Sequence, residues 1–444
     1  MAYLLGVLVI ALGVALSIAL HEIGHLVPAK RFGVKCTQYM VGFGPTVFSR
    51  RRGETEYGLK AIPLGGYVRM IGMFPPAPGR PARADTTGRW SLMIEQARHE
   101  AQREVGPEDS DRLFYTRPVH QRLVIMLGGP TMNLVIAIVL LTITITGFGI
   151  PDETPRLSSV SECVLPVSAP LDQKCTDANK KAPAAAAGLK PGDVIVSFDG
   201  TPVSDWDQVR TAIRANPDHN VTLGVERDGR TFDVKVTPLL DDRQVLDSEG
   251  NPVVGSDGRA ITEKVGFLGV SPSRDLVRQP ISAVPGFIGT ALAQTAGVVV
   301  KIPEKMVGVA QAAFGSGERD PSGPISIVGV SRVAGEVASA DSTDAVQLSL
   351  ADRFAQLLLL IASLNLALFV FNLIPLLPLD GGHVAGALWE GLRRQVAKLR
   401  RQPDPGPVDV ARALPLAYGV ASLLISMSVL LIYADIVRPI RLGG

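Results

Sequence analysis

The sequence has few cysteines, few aromatic residues and no strong excess of charge of either sign. Three cysteines are too few for a disulfide scaffold or a cysteine-based zinc site, and the pair Cys163 and Cys175 is left open between a disulfide and two free thiols. Lys and Arg outnumber Asp and Glu by 44 to 42, which argues against the concentrated basic face of a nucleic-acid-binding protein. Since 46% of the 444 residues are hydrophobic but only 5% are aromatic, we expect aliphatic membrane spans beside a soluble module.

Four long apolar runs are predicted to cross a membrane. The first carries no basic start and ends in HEIGH rather than in a small-residue cleavage site, so we expect it to remain as a helix instead of being removed as a signal peptide. The predicted segments are a first transmembrane helix (1–29), a cytoplasmic loop (30–120), a second transmembrane helix (121–150), an extracytoplasmic linker (151–182), a small domain (183–240), an extracytoplasmic region with an interfacial helix (241–350), a third transmembrane helix (351–380), a basic cytoplasmic loop (381–412) and a fourth transmembrane helix (413–436).

Basic residues predict the direction of these spans. Lys and Arg follow the first run, precede the second and fill the loop between the third and the fourth, so the positive-inside rule places both loops in the cytoplasm and both termini outside. Residues 284–300 are also apolar but contain Pro285 and Gln294, and we interpret them as an interfacial helix. A fifth span here would invert the third helix and separate Asp380 from the histidines of the first.

The HEIGH motif predicts a metal site. On a helix, His21 and His25 share a face and can hold one divalent metal, while Glu22 between them can accept a proton from a water molecule. Three ionisable groups at the end of a spanning helix cost a few kcal/mol each unless they are paired or bound. This favours a functional cluster over a chance match.

A zinc ion held by two histidines needs a third protein ligand. Asp380 ends a long apolar run in NLIPLLPLDGGH and is the favoured candidate; His383 either competes for the metal, orients a ligand, or is an ordinary interfacial histidine. Pro375 and Pro378 break the helix just before Asp380. Broken backbone at membrane depth lies where it is buried in protein or lines a cavity, which is typical of a site that binds substrate.

Two soluble regions are predicted. In residues 183–240, strand-like runs separated by Pro-Gly-Asp and Asp-Gly turns surround one helix, and AGLKPGDVIVSFDG resembles the core of a PDZ domain of the bacterial protease type. That resemblance implies a groove for an extended peptide near the backbone amides of Gly188 and Leu189; a structural domain without a ligand is the alternative. In the first loop, residues 41–74 alternate as a membrane-associated β-hairpin, and residues 75–110 read as a mobile linker.

Together these motifs resemble the site-2 protease family of intramembrane zinc metalloproteases, most closely the bacterial branch that cuts membrane-bound anti-sigma factors. The motifs are HEIGH, VGFGP, GLKAIPLGGYVRMIG, GGPTMN and NLIPLLPLDGG. The resemblance implies Zn²⁺ bound by His21, His25 and Asp380, with Glu22 as general base. It further implies that Asn372 and Pro375 position substrate and that the hairpin receives an unwound substrate strand. The P-L-L-P spacing and GGP depart from the usual pattern, which bears on local substrate fit.

The expected fold is a membrane α-helical protein of about four transmembrane helices, with an extracytoplasmic α+β PDZ domain and a cytoplasmic-side β-hairpin. The expected partners are the lipid bilayer and single-span membrane proteins such as anti-sigma factors, with no nucleic acid, in a bacterial inner membrane. Asn133, Asn365 and Asn372 either line a water path or cap freed backbone groups, or form ordinary interhelical hydrogen bonds. The rival functions are a non-catalytic PDZ scaffold, which an intact Glu22 disfavours, and a metal transporter, which needs several intramembrane ligand pairs.

Overall fold

The computed structural model describes residues 1–76, 89–165, 174–176, 179–245, 253, 261–315, 319–320, 323–339 and 349–440. The described chain divides into two compact units. The first consists of Met1–Phe148 and Pro280–Gly444, and the second is the continuous stretch Gly149–Gln279.

The first unit is a helical bundle with one β-hairpin. Its hairpin pairs β1 with β2 antiparallel, which confirms the hairpin predicted in the first loop. The elements of this unit are α1 (Ala2–Arg31), β1 (Cys36–Arg52), β2 (Thr55–Met70), α2 (Arg89–Arg103), α3 (Val119–Ile143, continued by a π-helical turn Thr144–Phe148), α6 (Val284–Val300), α7 (Ile302–Phe314), α8 (Ile327–Ser339), α9 (Leu350–Asn372), α10 (Asp380–Leu399) and α11 (Leu414–Val437).

Five helices among the described residues are long and apolar enough to cross a membrane. Four coincide with the predicted runs, and the fifth is Ile281–Val300, which contains α6. These helices keep large aliphatic side chains exposed, including Leu8, Leu12 and Val139, as expected where lipid rather than protein surrounds a helix. The protein is therefore an integral membrane protein.

Helix α8 marks one end of the bundle. Its Gly335 packs against Tyr3 at the start of α1. Its Arg332 donates to the Asp435 carbonyl at the end of α11 (2.8 Å). Arg353, at the start of α9, donates to the Ala338 carbonyl of α8 (3.0 Å). The start of α1, the end of α11 and the start of α9 thus lie at the same end.

The segment that follows α7 reaches that same end at Ser326, whose amide donates to Asp435 (2.6 Å). Phe148, at the end of α3, packs edge-on against Phe354 near the start of α9. How many of the five helices span the bilayer stays a prediction.

Two predicted loops contain regular helices. Residues 89–103 of the supposed mobile linker form α2, because Arg98 pairs with Asp409 (2.5 Å) and anchors the helix; residues 77–88 lie outside the described part of the chain. The basic loop predicted at 381–412 is mostly α10, whose Ala387, Glu390 and Ala397 are buried. The description of residues 89–103 as a mobile linker was wrong, because tertiary contacts, which composition does not reveal, stabilise α2. The role of residues 381–412 as the cytoplasmic connection between two spans stays a prediction.

The second unit is an α+β domain. Its main sheet has the order β10-β3-β4-β6-β7, with β5 paired to β4, and β8 and β9 form a separate hairpin. Its elements are β3 (Ile150–Val160), α4 (Pro183–Ala186), β4 (Val194–Phe198), β5 (Thr201–Pro202), α5 (Trp206–Ala215), β6 (Val221–Arg227), β7 (Arg230–Val236), β8 (Leu239–Gln244), β9 (Thr262–Phe267) and β10 (Val270–Val277).

This unit is larger than the predicted small domain. Strand β3 comes from the region predicted as a linker, and β8, β9 and β10 follow the predicted boundary at residue 240. Leu157 of β3 and Leu268 before β10 belong to the same core as Ile195 and Leu223. Cys163 and Cys175 form a disulfide, which settles the pairing left open above.

Candidate metal centre

Three side chains from two distant parts of the sequence converge in the first unit. The Nε2 atoms of His21 and His25 lie 3.2 Å apart, and each is 3.4 Å from Asp380 Oδ2. These are the members of a group that can hold one metal ion, with ligand atoms within 4.8 Å of one another. Two imidazoles and one carboxylate form the donor set of a catalytic zinc site that keeps one position open.

Glycines bring the helices together at this point. Gly24 of α1 lies directly against the backbone of Gly128 in α3, so that a side chain at either position would collide with the other helix. A Cβ atom at Gly129 would collide with the imidazoles of His21 and His25. The GGP sequence in α3 therefore provides both the close helix packing and the space in front of the histidine nitrogens.

Helix α3 also orients the imidazoles. His25 Nδ1 lies 2.8 Å from the Ile125 carbonyl oxygen, so Nδ1 carries the proton and Nε2 has its lone pair free for a metal. His21 Nδ1 lies 3.1 Å from the side-chain amide of Asn133. Because one imidazole already has the tautomer that a metal requires, the residues present fit a zinc ion.

Asp380 is held in place by the backbone around it. It is the first residue of α10, after the short break that follows α9. Gly381 and Gly382 pack so closely on the backbone of residues 373–377 that a side chain at either position would not fit. The LDGG sequence thus lets α10 begin beside the break and point Asp380 at the histidines.

Glu22 lies next to the cluster and under the hairpin. Only 8% of its surface is exposed, and within the described chain its carboxylate has no hydrogen-bond partner. Gly66 of β2 passes so close that a Cβ there would touch the Glu22 side chain, and Tyr39 of β1 donates to the Ala19 carbonyl on α1 (2.8 Å). The hairpin is therefore fixed against the helix turn that carries the predicted base.

The predicted substrate residues lie in and before the break. Asn372 is the last residue of α9, and Pro375 is exposed in the break. Neither belongs to the group of metal-ligand candidates. Their role in positioning substrate stays a prediction.

His383 lies outside the ligand group. It lines a cavity of ≈ 10 Å³ together with Tyr115, Arg122 and Glu390, which is about the volume that one water molecule requires. Of the alternatives for His383, competition with Asp380 for the metal has no support in this arrangement.

A buried ion pair next to this cavity was not predicted. Glu390 of α10 is completely buried and pairs with Arg122 of α3 and, at 3.1 Å, with Arg394; it also accepts from the Val408 amide at 3.0 Å. Because α10 carries Asp380, this pair fixes one metal-ligand candidate relative to α3. The only sequence signal was an arginine at the start of an apolar run.

The peptide-binding groups predicted in the second unit do not fit the structure. The amides of Gly188 and Leu189 donate to the carbonyls of Ala185 (3.2 Å) and Ala184 (3.1 Å), and the Leu189 side chain is in the core. Both amides close the turn after α4, and so they are not free to meet an incoming peptide. The prediction that these two amides bind peptide was based on a glycine-containing loop and did not consider the hydrogen bonds within that loop.

Comparison with known proteins gives a consistent set of relatives. The profile of peptidase family M50 matches residues 9–403. The chain is 36% identical over 446 residues to the zinc metalloprotease Rip1 of Mycobacterium bovis, covering all of both chains. It is 28% identical to the metalloprotease MmpA of Caulobacter vibrioides, over 85% of this chain and 84% of that one, and 25% identical to the regulator of sigma-W protease RasP of Bacillus subtilis, over 84% and 87%.

Proposed function

The chain belongs to peptidase family M50 and is a zinc metalloprotease of the site-2 type, and we propose that it hydrolyses peptide bonds inside the transmembrane segments of single-span membrane proteins. Anti-sigma factors are the proposed substrate class, and a bacterial cell membrane is the proposed location. Both are supported by the relatives, which are bacterial proteins and include one named as a regulator of sigma-W protease.

One observation carries the proposal. His21, His25 and Asp380 converge beside Glu22, where Gly24 and Gly128 let the two apolar helices α1 and α3 approach closely. From Gly128 to the start of α3 at Val119 is nine residues, or about 13 Å of helix. The proposed zinc site therefore lies within the depth of the apolar helices rather than on a soluble domain, so the substrate must reach it from the bilayer.

The roles of the residues follow from their positions. His21, His25 and Asp380 would hold the zinc ion, which when bound lowers the pKa of water and polarises a carbonyl group. Glu22 has a free carboxylate within the described chain and is the group that accepts the proton of the attacking water. It then returns this proton to the leaving amine. Gly129 leaves the front of the imidazoles open.

The β-hairpin is the proposed substrate platform. A peptide bond in a transmembrane helix is hydrogen-bonded, so the substrate must be extended before it is cut, and an extended chain binds by adding a strand to a sheet. Strand β2 passes Glu22 at Gly66. Away from the hairpin turn at residues 53–54, large apolar side chains are exposed, among them Phe43, Val47, Phe48, Leu59 and Ile62, as expected for a hairpin in contact with lipid.

The second unit is proposed to select substrates by binding extended peptide, as its PDZ resemblance implies. Since the amides of Gly188 and Leu189 are committed, the better candidate is β10. It lies at one edge of the main sheet and follows the glycine-containing run Gly266–Gly269. A Pro at position 272 is tolerated there because edge strands have one side without ladder hydrogen bonds.

The role of this unit is tested by removing it. Ile150 and Val277 pair with each other, so residues 149–279 can be replaced by a short linker. If the unit is a gate, this variant should cleave substrate that has not been trimmed on its outer side; unchanged selectivity would rule out a gate.

The test of the proposed function is the position of the cut. A single-span anti-sigma-type substrate is reconstituted with the purified protease in lipid, and the products are identified by mass spectrometry. We expect a zinc-dependent cut within the apolar segment of the substrate, absent with Glu22→Ala. A cut confined to soluble flanking sequence would contradict an intramembrane protease, and processing by the Glu22 variant would favour the scaffold alternative.

A further inference from the structure

Helix α3 contributes none of the three metal-ligand candidates, yet it contacts the second nitrogen of both imidazoles. The Ile125 carbonyl lies 2.8 Å from His25 Nδ1, and the Asn133 amide lies 3.1 Å from His21 Nδ1. We propose that Asn133 is the positioning residue of His21: its amide oxygen accepts the Nδ1 proton and so fixes the tautomer whose Nε2 binds zinc. This inference rests on the zinc site proposed above.

The argument begins with the single proton of a neutral imidazole. A histidine that binds metal through Nε2 keeps this proton on Nδ1, so whatever faces Nδ1 must be an acceptor. The Ile125 carbonyl meets this requirement for His25. For His21, the partner is a side-chain amide that offers an acceptor at one end and a donor at the other.

The orientation of that amide is decided by the metal. In the structure Nδ2 faces His21 Nδ1, and Asn133 Oδ1 is buried without a hydrogen-bond partner in the part of the chain that the structure describes. With the proton on Nδ1, two donors would face each other. Turning the amide by 180° exchanges oxygen and nitrogen without changing the shape of the side chain, and it places the acceptor against the Nδ1 proton.

A comparison with Asn365 separates this role from ordinary helix packing. Both asparagines are 1% exposed, but Asn365 Nδ2 donates to Ser17 Oγ (2.9 Å) and to the Ile361 carbonyl (2.8 Å). Asn365 therefore joins α9 to α1, and within the described residues its hydrogen bonds go to neither a metal-ligand candidate nor Glu22. Among the described residues, the Asn133 side chain has one hydrogen bond, to His21, and this bond is what offsets the free-energy cost of burying the amide.

Three variants of the full-length protein in detergent test the proposal. Asn133→Leu removes the acceptor at similar size, Asn133→Asp keeps an acceptor but cannot donate, and Asn365→Leu is the matched control. Zinc affinity is measured by competition with a chelator, and the coordination by the visible spectrum of the cobalt-substituted protein. We expect Asn133→Leu to lose about 10–100-fold in zinc affinity, whereas Asn133→Asp and Asn365→Leu keep the wild-type affinity and the wild-type cobalt spectrum.

Equal weakening by Asn133→Leu and Asn133→Asp would show that the amide donates, and an unchanged Asn133→Leu would show that it only fills space; either overturns the inference while leaving the zinc site intact. A wild-type protein that binds no zinc would instead overturn the proposed function. If the Asn133 variants fail to fold, nitrogen NMR of histidine-labelled, zinc-loaded wild type decides. A proton on Nδ1 of His21 is expected, and a proton on Nε2 would contradict the proposal.

Discussion

The two units of this protein bury charge for different purposes. In the helical unit, Glu390 is fully buried with Arg122 and joins α10 to α3, two elements far apart in the sequence. In the α+β unit, Asp193 is 1% exposed and pairs with Arg227 (2.6 Å), which joins the start of β4 to the end of β6 within one continuous stretch of chain. The first pair fixes the position of a metal-ligand candidate, and the second stabilises a local fold.

The difference extends to the cores. The α+β unit has one compact core with Ile195, Val209 and Leu223 at its centre, as in a soluble domain. The helical unit distributes smaller clusters along its helices and places glycines where α1 and α3 meet. Damage to the helical unit should therefore reach the metal, whereas damage to the α+β unit should remain local.

The largest effect is expected for Asp380→Ala. This change removes the only acidic member of the ligand group, so zinc should fall from about one ion per chain to near zero and cleavage to background. The α+β unit should keep its Cys163–Cys175 disulfide and its resistance to protease. Metal analysis with limited proteolysis checks both, and an Asp380→Ala protein that retains full zinc would place the third ligand elsewhere.

Breaking the Glu390–Arg122 pair of the helical unit should reduce zinc binding and activity less than Asp380→Ala does. Arg122→Met leaves Glu390 buried without its main partner, which we expect to destabilise the contact of α10 with α3 by about 3–5 kcal/mol. Thermal unfolding in detergent and zinc retention are the measurements. The matched control is Arg122→Met combined with Glu390→Leu, because replacing both partners of a buried pair with apolar groups is often neutral. A double variant as unstable as the single one would refute this account of the pair.

A core change in the other unit should have a similar energetic cost without reaching the metal. Leu223 is completely buried in the α+β core, so Leu223→Ala should destabilise that unit by about 2–5 kcal/mol. Protease sensitivity of residues 149–279 should rise while zinc content stays at the wild-type value. Loss of zinc in this variant would mean that the two units do not behave independently.

The smallest effect is expected from pH. Burial acts to raise the pKa of Asp193, but hydrogen bonds from Arg227 and the Lys190 amide, together with the charge of Arg227, outweigh it and hold this pKa below its ordinary value. A lowered folded-state pKa contributes stability above the ordinary value of about 3.9, and this contribution is lost as the pH falls through the folded-state pKa. Asp193→Asn should therefore lower the unfolding temperature of the α+β unit at pH 7, with a difference from wild type that shrinks below about pH 4. If the difference in unfolding temperature grew on acidification, the Asp193–Arg227 pair would not stabilise the folded unit in the way described here.

Local patterns in the sequence predicted which ionisable side chains come together better than they predicted the architecture. HEIGH and LDGG singled out His21, His25 and Asp380, which converge in the structure, because both motifs combine ionisable groups with apolar runs; their roles, and that of Glu22, stay predictions. The hairpin and the strands β4, β6 and β7 followed from alternation and turn residues.

The parts of the fold and of the site that were not predicted depend on contacts between residues distant in the sequence. Helix α2 is anchored by Arg98 to Asp409, and β3 joins the sheet by pairing with β10 more than 100 residues later. Gly188 was interpreted from a resemblance to a PDZ motif, whereas its amide already donates to the Ala185 carbonyl. The choice between a water path and helix packing for Asn133 required the position of His21.

The central claim is that Glu22 acts as the general base beside the zinc ion but is not one of its ligands. The most direct test measures bound zinc and substrate cleavage together, on purified wild type and Glu22→Ala. The account predicts that the variant keeps about one zinc ion per chain and loses cleavage. Cleavage by Glu22→Ala at the wild-type rate, or loss of zinc together with activity, would contradict it.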